Sequence, residues 1–187
     1  MPTNDKTHAG LEPSPWIRRF AGLIPDGGEV LDVACGAGRH TRMMHGLGHP
    51  VVALDRDVSK LEDLRAKPGI EIVKADLENG SPWPLPDRRF SGIIVCNYLF
   101  RPVLPTLFSA LADGGVLLYE TFALGNERFG KPSNPAFLLK PGELLAAVKD
   151  RLRVVAFEDG MVEQPRPAVI QRLCAIRPTD GMSPAIL

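Results

Sequence analysis

Two glycines behind an acidic strand end are the residues of this sequence best suited to ligand chemistry. The stretch VLDVACGAGRHT, residues 30–41, places Asp32 in an apolar run and then Gly36 and Gly38 one residue apart. Glycine adopts positive φ angles and leaves no Cβ in the way of a bound molecule. In open parallel sheets, ligands bind beyond the carboxyl ends of the strands. The pattern therefore predicts a strand, a ligand-binding turn and a helix; a tight turn without a ligand is the alternative.

The charge beside this turn distinguishes between two kinds of nucleoside ligand. A dinucleotide fingerprint needs a third glycine, whose place is taken here by Thr41, and it holds a pyrophosphate at the helix N-terminus. The Asp32 carboxylate would repel a pyrophosphate and attract an ammonium or sulfonium group. S-adenosylmethionine carries both cations and no phosphate, so the sequence favours it over a nicotinamide dinucleotide. A Walker loop is excluded because no GK[ST] follows.

Two further acids end the next two apolar runs. Asp55 closes VVALD, where an acid would accept hydrogen bonds from both ribose hydroxyls, and Asp76 closes IVKAD, where it would accept from the adenine amine beside the Leu77 amide. A single acid at a strand end is more often a helix cap. Three of them on successive strands, beside a glycine turn, favour a shared crevice.

The elements that would position these acids alternate between strands and helices. Residues 1–13 are polar and predict a mobile tail, and residues 14–187 predict a single domain. Five strand–helix alternations, with helices at RDVSKLEDLRAK and VLPTLFSALAD among them, precede two strands, RVVAFEDGMV and AVIQRLCAIR. The connection between these two strands is too short for a helix, so they are antiparallel. The predicted fold is α/β: a three-layer αβα sandwich with a seven-stranded, mainly parallel sheet and an antiparallel last strand.

Composition limits the classes of partner. Lys plus Arg and Asp plus Glu are both 22, and no basic stripe is present, which disfavours nucleic acid. Cys35, Cys96 and Cys174 show no metal-binding spacing, and the histidines show none either, so no metal is expected and the thiols indicate a cytoplasmic protein. No apolar run is long enough for a bilayer, so no membrane partner is expected.

These motifs resemble the class I S-adenosylmethionine-dependent methyltransferases. VLDVACGAG is similar to that family's first motif, D/E-x-G-x-G-x-G, except that Ala34 replaces the first glycine. ALDRDVSKLEDL resembles the second motif, with Asp55 on the ribose-binding acid, and KADLENG places Asp76 on the adenine-binding acid. The chain looks most like small stand-alone bacterial members, described as tellurite-resistance-like or of unassigned substrate.

The resemblance implies a Rossmann-like methyltransferase fold and S-adenosyl-L-methionine as cofactor. The implied activity is methyl transfer to a small-molecule acceptor by in-line displacement. A non-catalytic S-adenosylmethionine-binding protein is one alternative, and a nicotinamide-dependent oxidoreductase is a weaker one. A monomer or homodimer is expected. The cofactor-binding candidates are Asp32, Ala34, Cys35, Gly36, Gly38, Asp55, Arg56, Asp76, Leu77 and Asn97.

The acceptor is less well defined by the sequence, because methyl transfer needs a general base only when the acceptor must lose a proton. CNYLFR follows the fourth strand and differs from the (D/N)PP(Y/F) motif of enzymes that methylate amino nitrogens. The catalytic candidates are Tyr98 and Glu120, with packing and a plain strand-terminal acid as alternatives. The substrate-binding candidates are Trp16, Arg101, Asn126 and Arg128. The long segment 123–142 is expected to close as a lid over the acceptor.

Overall fold

A computed structural model describes residues 12–179 of the chain, and its centre is one seven-stranded sheet. Of the predicted tail, residues 1–11 lie outside the described residues. The strands are β1 (Val30–Val33), β2 (Val51–Asp55), β3 (Ile70–Lys74), β4 (Phe90–Cys96), β5 (Leu111–Phe122), β6 (Arg153–Val162) and β7 (Ala168–Ile176). The α-helices are α1 (Pro15–Phe20), α2 (Arg39–Gly46), α3 (Leu104–Ser109) and α4 (Glu143–Val148). Short 3-10 helices occur at Ala21–Leu23, Ser59–Leu64, Arg101–Val103, Asn126–Arg128 and Pro135–Phe137.

The strand order places β1 at the point where the chain reverses its direction of travel across the sheet. The order is β3-β2-β1-β4-β5-β7-β6, so β1 lies between β2 and β4 and is parallel to both. β7 is antiparallel to β5 and to β6. The predicted sheet is confirmed, including its reversed last strand. The turn after β1 therefore opens at the topological switch point, where ligands bind in such sheets.

Alternation along the strands divides the core between the two faces of the sheet. In β1, Leu31 and Val33 pack in the cluster that contains Leu107 of α3 and Leu144 of α4. Val30 packs in the cluster on the other face, which contains the apolar side chains of α1 and α2. Successive strand residues point to opposite faces. The strands are covered on both sides, which explains their continuous apolar sequences.

Helix α1 begins where Ser14 caps it. The Ser14 hydroxyl accepts hydrogen bonds from the backbone N–H groups of Trp16 and Ile17, and Pro15 occupies the first turn. The buried side of the helix consists of Trp16, Ile17 and Phe20, as the apolar spacing predicts. The Ser14 N–H also donates to the ring of His40, which joins this cap to α2.

Two helices are shorter than the sequence predicts. RDVSKLEDLRAK forms only the 3-10 helix Ser59–Leu64. VLPTLFSALAD ends its helix at Ser109, because the next residues enter the sheet: the N–H of Phe90 donates to the carbonyl of Ala110, and Leu111 pairs with Phe90 in β4. Tertiary pairing here overrides local helix propensity. Among residues 12–179, no helix has the length and apolarity that crossing a bilayer requires.

Candidate functional site

The turn between β1 and α2 contains three residues with left-handed backbone. Ala34, Gly36 and Gly38 have φ angles of 52°, 56° and 74°. A Cβ on Gly38 would lie 2.8 Å from Leu61 and 3.2 Å from Leu64, whereas a Cβ on Gly36 would meet nothing within 4 Å. Gly38 therefore has a left-handed φ and closely packed neighbours, both of which favour glycine, whereas Gly36 borders open space. Ala34 adopts a conformation that costs an L-residue about 1–2 kcal/mol, which explains why glycine suits that position.

The carboxylate of Asp55 holds this turn from the end of β2. One of its oxygens accepts a hydrogen bond from the N–H of Gly36 at 2.7 Å, and the other accepts from the N–H of Asp57 at 2.9 Å. β2 is the parallel neighbour of β1, so the two strand ends lie at the same edge of the sheet. Asp55 thus links the glycine turn to the neighbouring cleft.

This cleft, which we call the nucleoside cleft, has a volume of about 250 Å³ and lies at the carboxyl ends of β1–β3. It brings together predicted cofactor residues from the three strand ends. Three carboxylates face a single arginine in it, an acidic lining that would repel a pyrophosphate and attract a cation. The lining residues are Ala34, Leu54, Asp55, Arg56, Ala75, Asp76, Leu77, Glu78, Tyr98 and Phe137.

Asp32 lies beneath the turn and does not line the cleft. It is 1% exposed, and one oxygen of its carboxylate accepts a hydrogen bond from the Thr41 hydroxyl at 2.6 Å. Burial raises the pKa of Asp32 to about 6, although the Thr41 hydrogen bond opposes that shift. The expectation that all three strand-terminal acids face one crevice is therefore wrong for Asp32. Asp32 lies inside β1, one residue before its end, so its side chain packs under the first turn of α2.

Asp32→Asn should change how the free energy of unfolding depends on pH. The folded pKa of Asp32 exceeds its ordinary value of 3.8, so folding takes up a proton between about pH 4 and pH 6, and this contribution to stability is lost as pH rises. Urea unfolding should show the variant gaining about 2–3 kcal/mol on the wild type between about pH 4 and pH 7. If the free energy of unfolding depended on pH in the same way in the two proteins, this prediction would be contradicted. His40, whose pKa burial lowers to about 3, titrates equally in both proteins and cancels.

A second cavity of about 600 Å³, here called the basic pocket, lies at the carboxyl ends of β4 and β5. Asn97, with a φ of 58°, lines it and donates its backbone N–H to the carbonyl of Glu120. The connection between β6 and β7 forms one wall. Its lining residues are Glu12, Pro13, Ser14, Pro15, Arg18, Arg39, Asn97, Glu120, Phe122, Val162, Gln164, Pro165, Arg166, Ala168, Ile170 and Arg172.

Glu120 is poorly placed to act as a general base. One oxygen accepts from the Arg172 guanidinium at 2.7 Å, and the other accepts from the Cys96 thiol at 3.6 Å. The ion pair is almost entirely buried, with side-chain exposures of 17% for Arg172 and 12% for Glu120. Both carboxylate oxygens therefore already have partners within the fold. The structure favours the alternative interpretation of Glu120, as a structural acid at a strand end.

Three of the predicted substrate-binding residues serve the fold. Trp16 is 3% exposed and donates its indole N–H to the carbonyl of Leu173, so it does not cover a ligand. Asn126 is 2% exposed and bonds to the backbone of Pro132 and Val169. Each lacks the exposed surface that substrate contact requires.

Arg101, the third, braces the segment 123–142. Its guanidinium pairs with Glu143 at 2.6 Å and donates to the carbonyls of Ala136 and Leu138. These partners occupy the donors that were expected to meet a substrate. The segment is further held by a bridge between Ala123 and Leu139, so it is less free than its composition predicts.

The remaining candidates differ in exposure. Arg128 is exposed and its guanidinium stacks over Phe129, away from both cavities. Tyr98 lines the nucleoside cleft, where burial and the neighbouring Glu78 raise the pKa of its phenol. Cys35 is buried, and desolvation raises the pKa of its thiol well above its ordinary range, so it is unsuited to be a nucleophile.

The sequence interpretation missed several residues of these cavities. Thr41 was treated only as a missing glycine, yet its hydroxyl holds Asp32. Arg39 and Arg172, which were not predicted, enter the basic pocket from α2 and β7. Phe137 belongs to the segment 123–142 that was expected to cover the acceptor, and it lines the nucleoside cleft. Only Arg39, directly after the glycine turn, had a local signal that could have identified it.

The comparisons with known proteins agree with the fold and with the glycine turn. The reversed seventh strand, the switch point at β1 and the glycine turn define the fold of the class I S-adenosylmethionine-dependent methyltransferases. Residues 30–115 match the family model described as a methyltransferase domain. This match covers just under half of the chain, and it agrees with the fold, which is shared with solved S-adenosylmethionine-dependent methyltransferases.

Individual relatives differ in how much of each chain they share. Malonyl-[acyl-carrier protein] O-methyltransferase from Serratia marcescens is 33% identical over 107 residues, 54% of this chain. The aligned region spans only 40% of that relative's length. TehB from Haemophilus influenzae superposes with a TM-score of 0.70 at 18% identity, over 87% of this chain and 61% of TehB.

A second solved structure contains ligands. The 1,6-didemethyltoxoflavin-N1-methyltransferase of Burkholderia thailandensis, solved with its substrate and S-adenosylhomocysteine, has a TM-score of 0.66 at 18% identity. The similarity covers 88% of this chain and 77% of that one. At such identities the likeness establishes the fold, and the acceptors in the names of the Serratia and Burkholderia enzymes differ.

Proposed function

We propose that this protein transfers the methyl group of S-adenosylmethionine to a small-molecule acceptor. The observation that carries the proposal is the Asp55 carboxylate, which binds the N–H of Gly36 and also lines the acidic nucleoside cleft. The domain match over residues 30–115 and the O-methyltransferase relative support it. The cofactor supplies an activated methyl on sulfur, so the protein must chiefly orient the acceptor and exclude water.

The nucleoside cleft fits the adenosine part of this cofactor. Asp55 would bind the ribose hydroxyls, and Asp76 with the Leu77 amide would bind the adenine edge. The open space beside Gly36 admits the rest of the molecule without meeting a side chain. Asn97, on the other side of the switch point, lies where the cofactor and the acceptor would meet. Asp32 would favour the cationic end through its charge and not by contact.

Thermal melting with three ligands tests this assignment. S-adenosylmethionine and S-adenosylhomocysteine should each raise the melting temperature, since a ligand at a hundred times its dissociation constant stabilises by about 2.7 kcal/mol. NADH should have no effect, and stabilisation by NADH alone would contradict the proposal in favour of an oxidoreductase. Radiolabelled methyl transfer into a cell extract, separated into metabolite, RNA and protein fractions, should label the metabolites. Cofactor binding with no labelled fraction would favour the non-catalytic alternative.

We also propose that residues 123–142 act as a lid. Phe137 from this segment already lines the nucleoside cleft, and Arg101 fixes the segment through Glu143 and the Ala136 carbonyl. Closure would exclude water from the reacting atoms.

Arg101→Ala should loosen this lid. Removing the brace should speed tryptic cleavage within residues 123–142 at least about five-fold, the effect of roughly 1 kcal/mol in local opening. Arg89→Ala is the matched control: Arg89 is exposed and, among the described residues, bonds only to the carbonyl of Arg88. S-adenosylhomocysteine should protect the wild-type segment. Equal cleavage rates in all three proteins, with and without ligand, would contradict the proposed lid.

The proposal extends to the partners and the compartment. The balanced charge of the chain suits a small-molecule acceptor better than nucleic acid or a membrane surface. The three free cysteines suit a reducing compartment such as the cytoplasm. A monomer or a homodimer is compatible with this chemistry.

A further inference from the structure

The basic pocket carries more positive than negative charge. Four arginines and two carboxylates line it, and both carboxylates are already paired: Glu120 with Arg172 at 2.7 Å and Glu12 with Arg18 at 2.9 Å. Within residues 12–179, no carboxylate lies within ion-pairing distance of the two remaining arginines, Arg39 and Arg166. The pocket therefore has two guanidinium groups available for an anion.

The two arginines belong to different elements of the fold. Arg39 follows the glycine turn in α2, is half-buried, and touches the Cys96 sulfur at 3.1 Å and the Glu12 carbonyl at 3.3 Å. Neither contact neutralises its charge. Arg166 lies on the exposed connection between β6 and β7. One arginine thus lies next to the proposed cofactor site and the other at the rim.

The walls between them are partly apolar. Phe122, Val162 and Ile170 line the pocket from β5, β6 and β7. An occupant that matches this lining has an anionic group and an apolar body. A guanidinium binds a carboxylate with two parallel hydrogen bonds, which makes arginine the usual residue for this purpose.

Among the described residues, both carboxylates of the pocket are ion-paired and no histidine lines it. Both oxygens of Glu120 are engaged, and Asp32 is buried behind the glycine turn with its carboxylate on Thr41. An alcohol or an ammonium acceptor would need a base to remove a proton, whereas a carboxylate is already ionised at neutral pH. Two guanidinium groups outside any ion pair, beside carboxylates that are both ion-paired, thus favour an acceptor that is already an anion.

We propose that the basic pocket binds an organic carboxylate with an apolar body and that a carboxylate oxygen is the atom methylated. In this step the O–CH₃ bond forms as the CH₃–S bond breaks, and the bonding pair stays on sulfur. The carboxylate and the sulfonium lose their opposite charges together and give a neutral methyl ester and a neutral thioether. No proton is transferred. The proposal rests on the methyl-transfer function proposed above.

The test uses the full chain loaded with S-adenosylhomocysteine and three probes, butanoate, octanoate and benzoate, each compared by calorimetry with its own amide. At least one carboxylate should bind more tightly than its amide. Arg166→Gln should weaken that binding at least about ten-fold, the loss of one charge-assisted hydrogen bond, and leave S-adenosylhomocysteine binding unchanged. Arg89→Gln, an exposed arginine outside the pocket, is the matched control. Because Arg166 is exposed, its replacement should not impair folding.

Turnover of the labelled cofactor identifies the methylated atom. With the carboxylate that binds best, the label should enter a product that releases labelled methanol in alkali, as a methyl ester does. Equal binding of every carboxylate and its amide, or no effect of Arg166→Gln, would overturn the proposal, as would an alkali-stable product. Failure of S-adenosylhomocysteine to bind at all would instead overturn the proposed function, so the two failures are distinguishable.

Discussion

Asp55→Asn is expected to bind S-adenosylmethionine about 10- to 100-fold more weakly than the wild type, because the loss of charge-assisted hydrogen bonds costs roughly 1.5–3 kcal/mol. The Asp55 carboxylate has two roles in the structure. It accepts the N–H of Gly36 and lines the nucleoside cleft, where it is the proposed acceptor for the ribose hydroxyls. Asparagine keeps one oxygen for the Gly36 N–H but loses the charge. Isothermal titration calorimetry measures the change in dissociation constant.

Asp57→Asn provides the matched control for this substitution. It makes the same change two residues along the chain. The Asp57 carboxylate is exposed, accepts a hydrogen bond from the N–H of Ser59 and does not line the cleft. Its affinity for the cofactor should stay within about two-fold of the wild type, the range usual for surface substitutions. If Asp55→Asn binds as tightly as Asp57→Asn, the ribose does not lie at the end of β2.

The second large effect separates the two glycines of the turn. Gly38→Ala should lower the free energy of unfolding by about 2–4 kcal/mol, because the left-handed φ costs about 1–2 kcal/mol and overpacking adds a similar amount. The added Cβ would lie 2.8 Å from Leu61 and 3.0 Å from Arg42. Thermal melting should show a fall of roughly 5–15 °C for a chain of this size.

Gly36→Ala should affect binding more than folding. Its Cβ would meet no protein atom within 4 Å, so the unfolding free energy should fall only by the backbone cost, about 1–2 kcal/mol. The methyl group would occupy space that the proposed cofactor needs, and affinity should fall at least about ten-fold. Gly48→Ala, at a φ of 91° and with nothing within 4 Å, controls for the backbone cost at the opposite end of the strands. Equal affinities in these two variants would show that no ligand approaches Gly36.

The sheet could be predicted from the sequence because the signals for its strands lie close together in the chain. Apolar runs, the acids and glycines that end them, and the short connection between β6 and β7 predict the strands and the reversed last strand. The early end of α3 depends on a contact with a residue that is distant in the sequence. The carbonyl of Ala110 accepts a hydrogen bond from the N–H of Phe90, twenty residues earlier. The helix propensities of the residues around Ala110 do not predict that hydrogen bond.

The site could be predicted only where its residues follow strand ends. Asp55, Asp76 and Leu77 line the cleft as expected, because parallel strands end at one edge. Asp32 has the same sequence signal but lies under α2, and the Thr41 hydroxyl that holds it becomes visible only in three dimensions. A pattern of residue types does not distinguish an acid that lines a cleft from one that is buried behind it.

Two of the predicted substrate-binding residues turned out to have partners within the fold, for a related reason. Arg101 and Asn126 have side chains that could meet a polar substrate, but backbone carbonyls and Glu143 need the same donors in the folded chain. Whether a polar side chain is free for a ligand depends on its partners, and those come from distant segments. Within the described part of the chain, the ion pairs likewise identify Arg39 and Arg166 as the two arginines of the basic pocket that have no carboxylate partner.

A crystal structure of the chain with S-adenosylhomocysteine tests the central claim most directly. The account predicts the ribose hydroxyls within hydrogen-bonding distance of the Asp55 carboxylate and the adenine beside Asp76 and Leu77, with the amino-acid end passing Gly36. Density for the ligand outside the nucleoside cleft, or a ribose with no contact to Asp55, would contradict it.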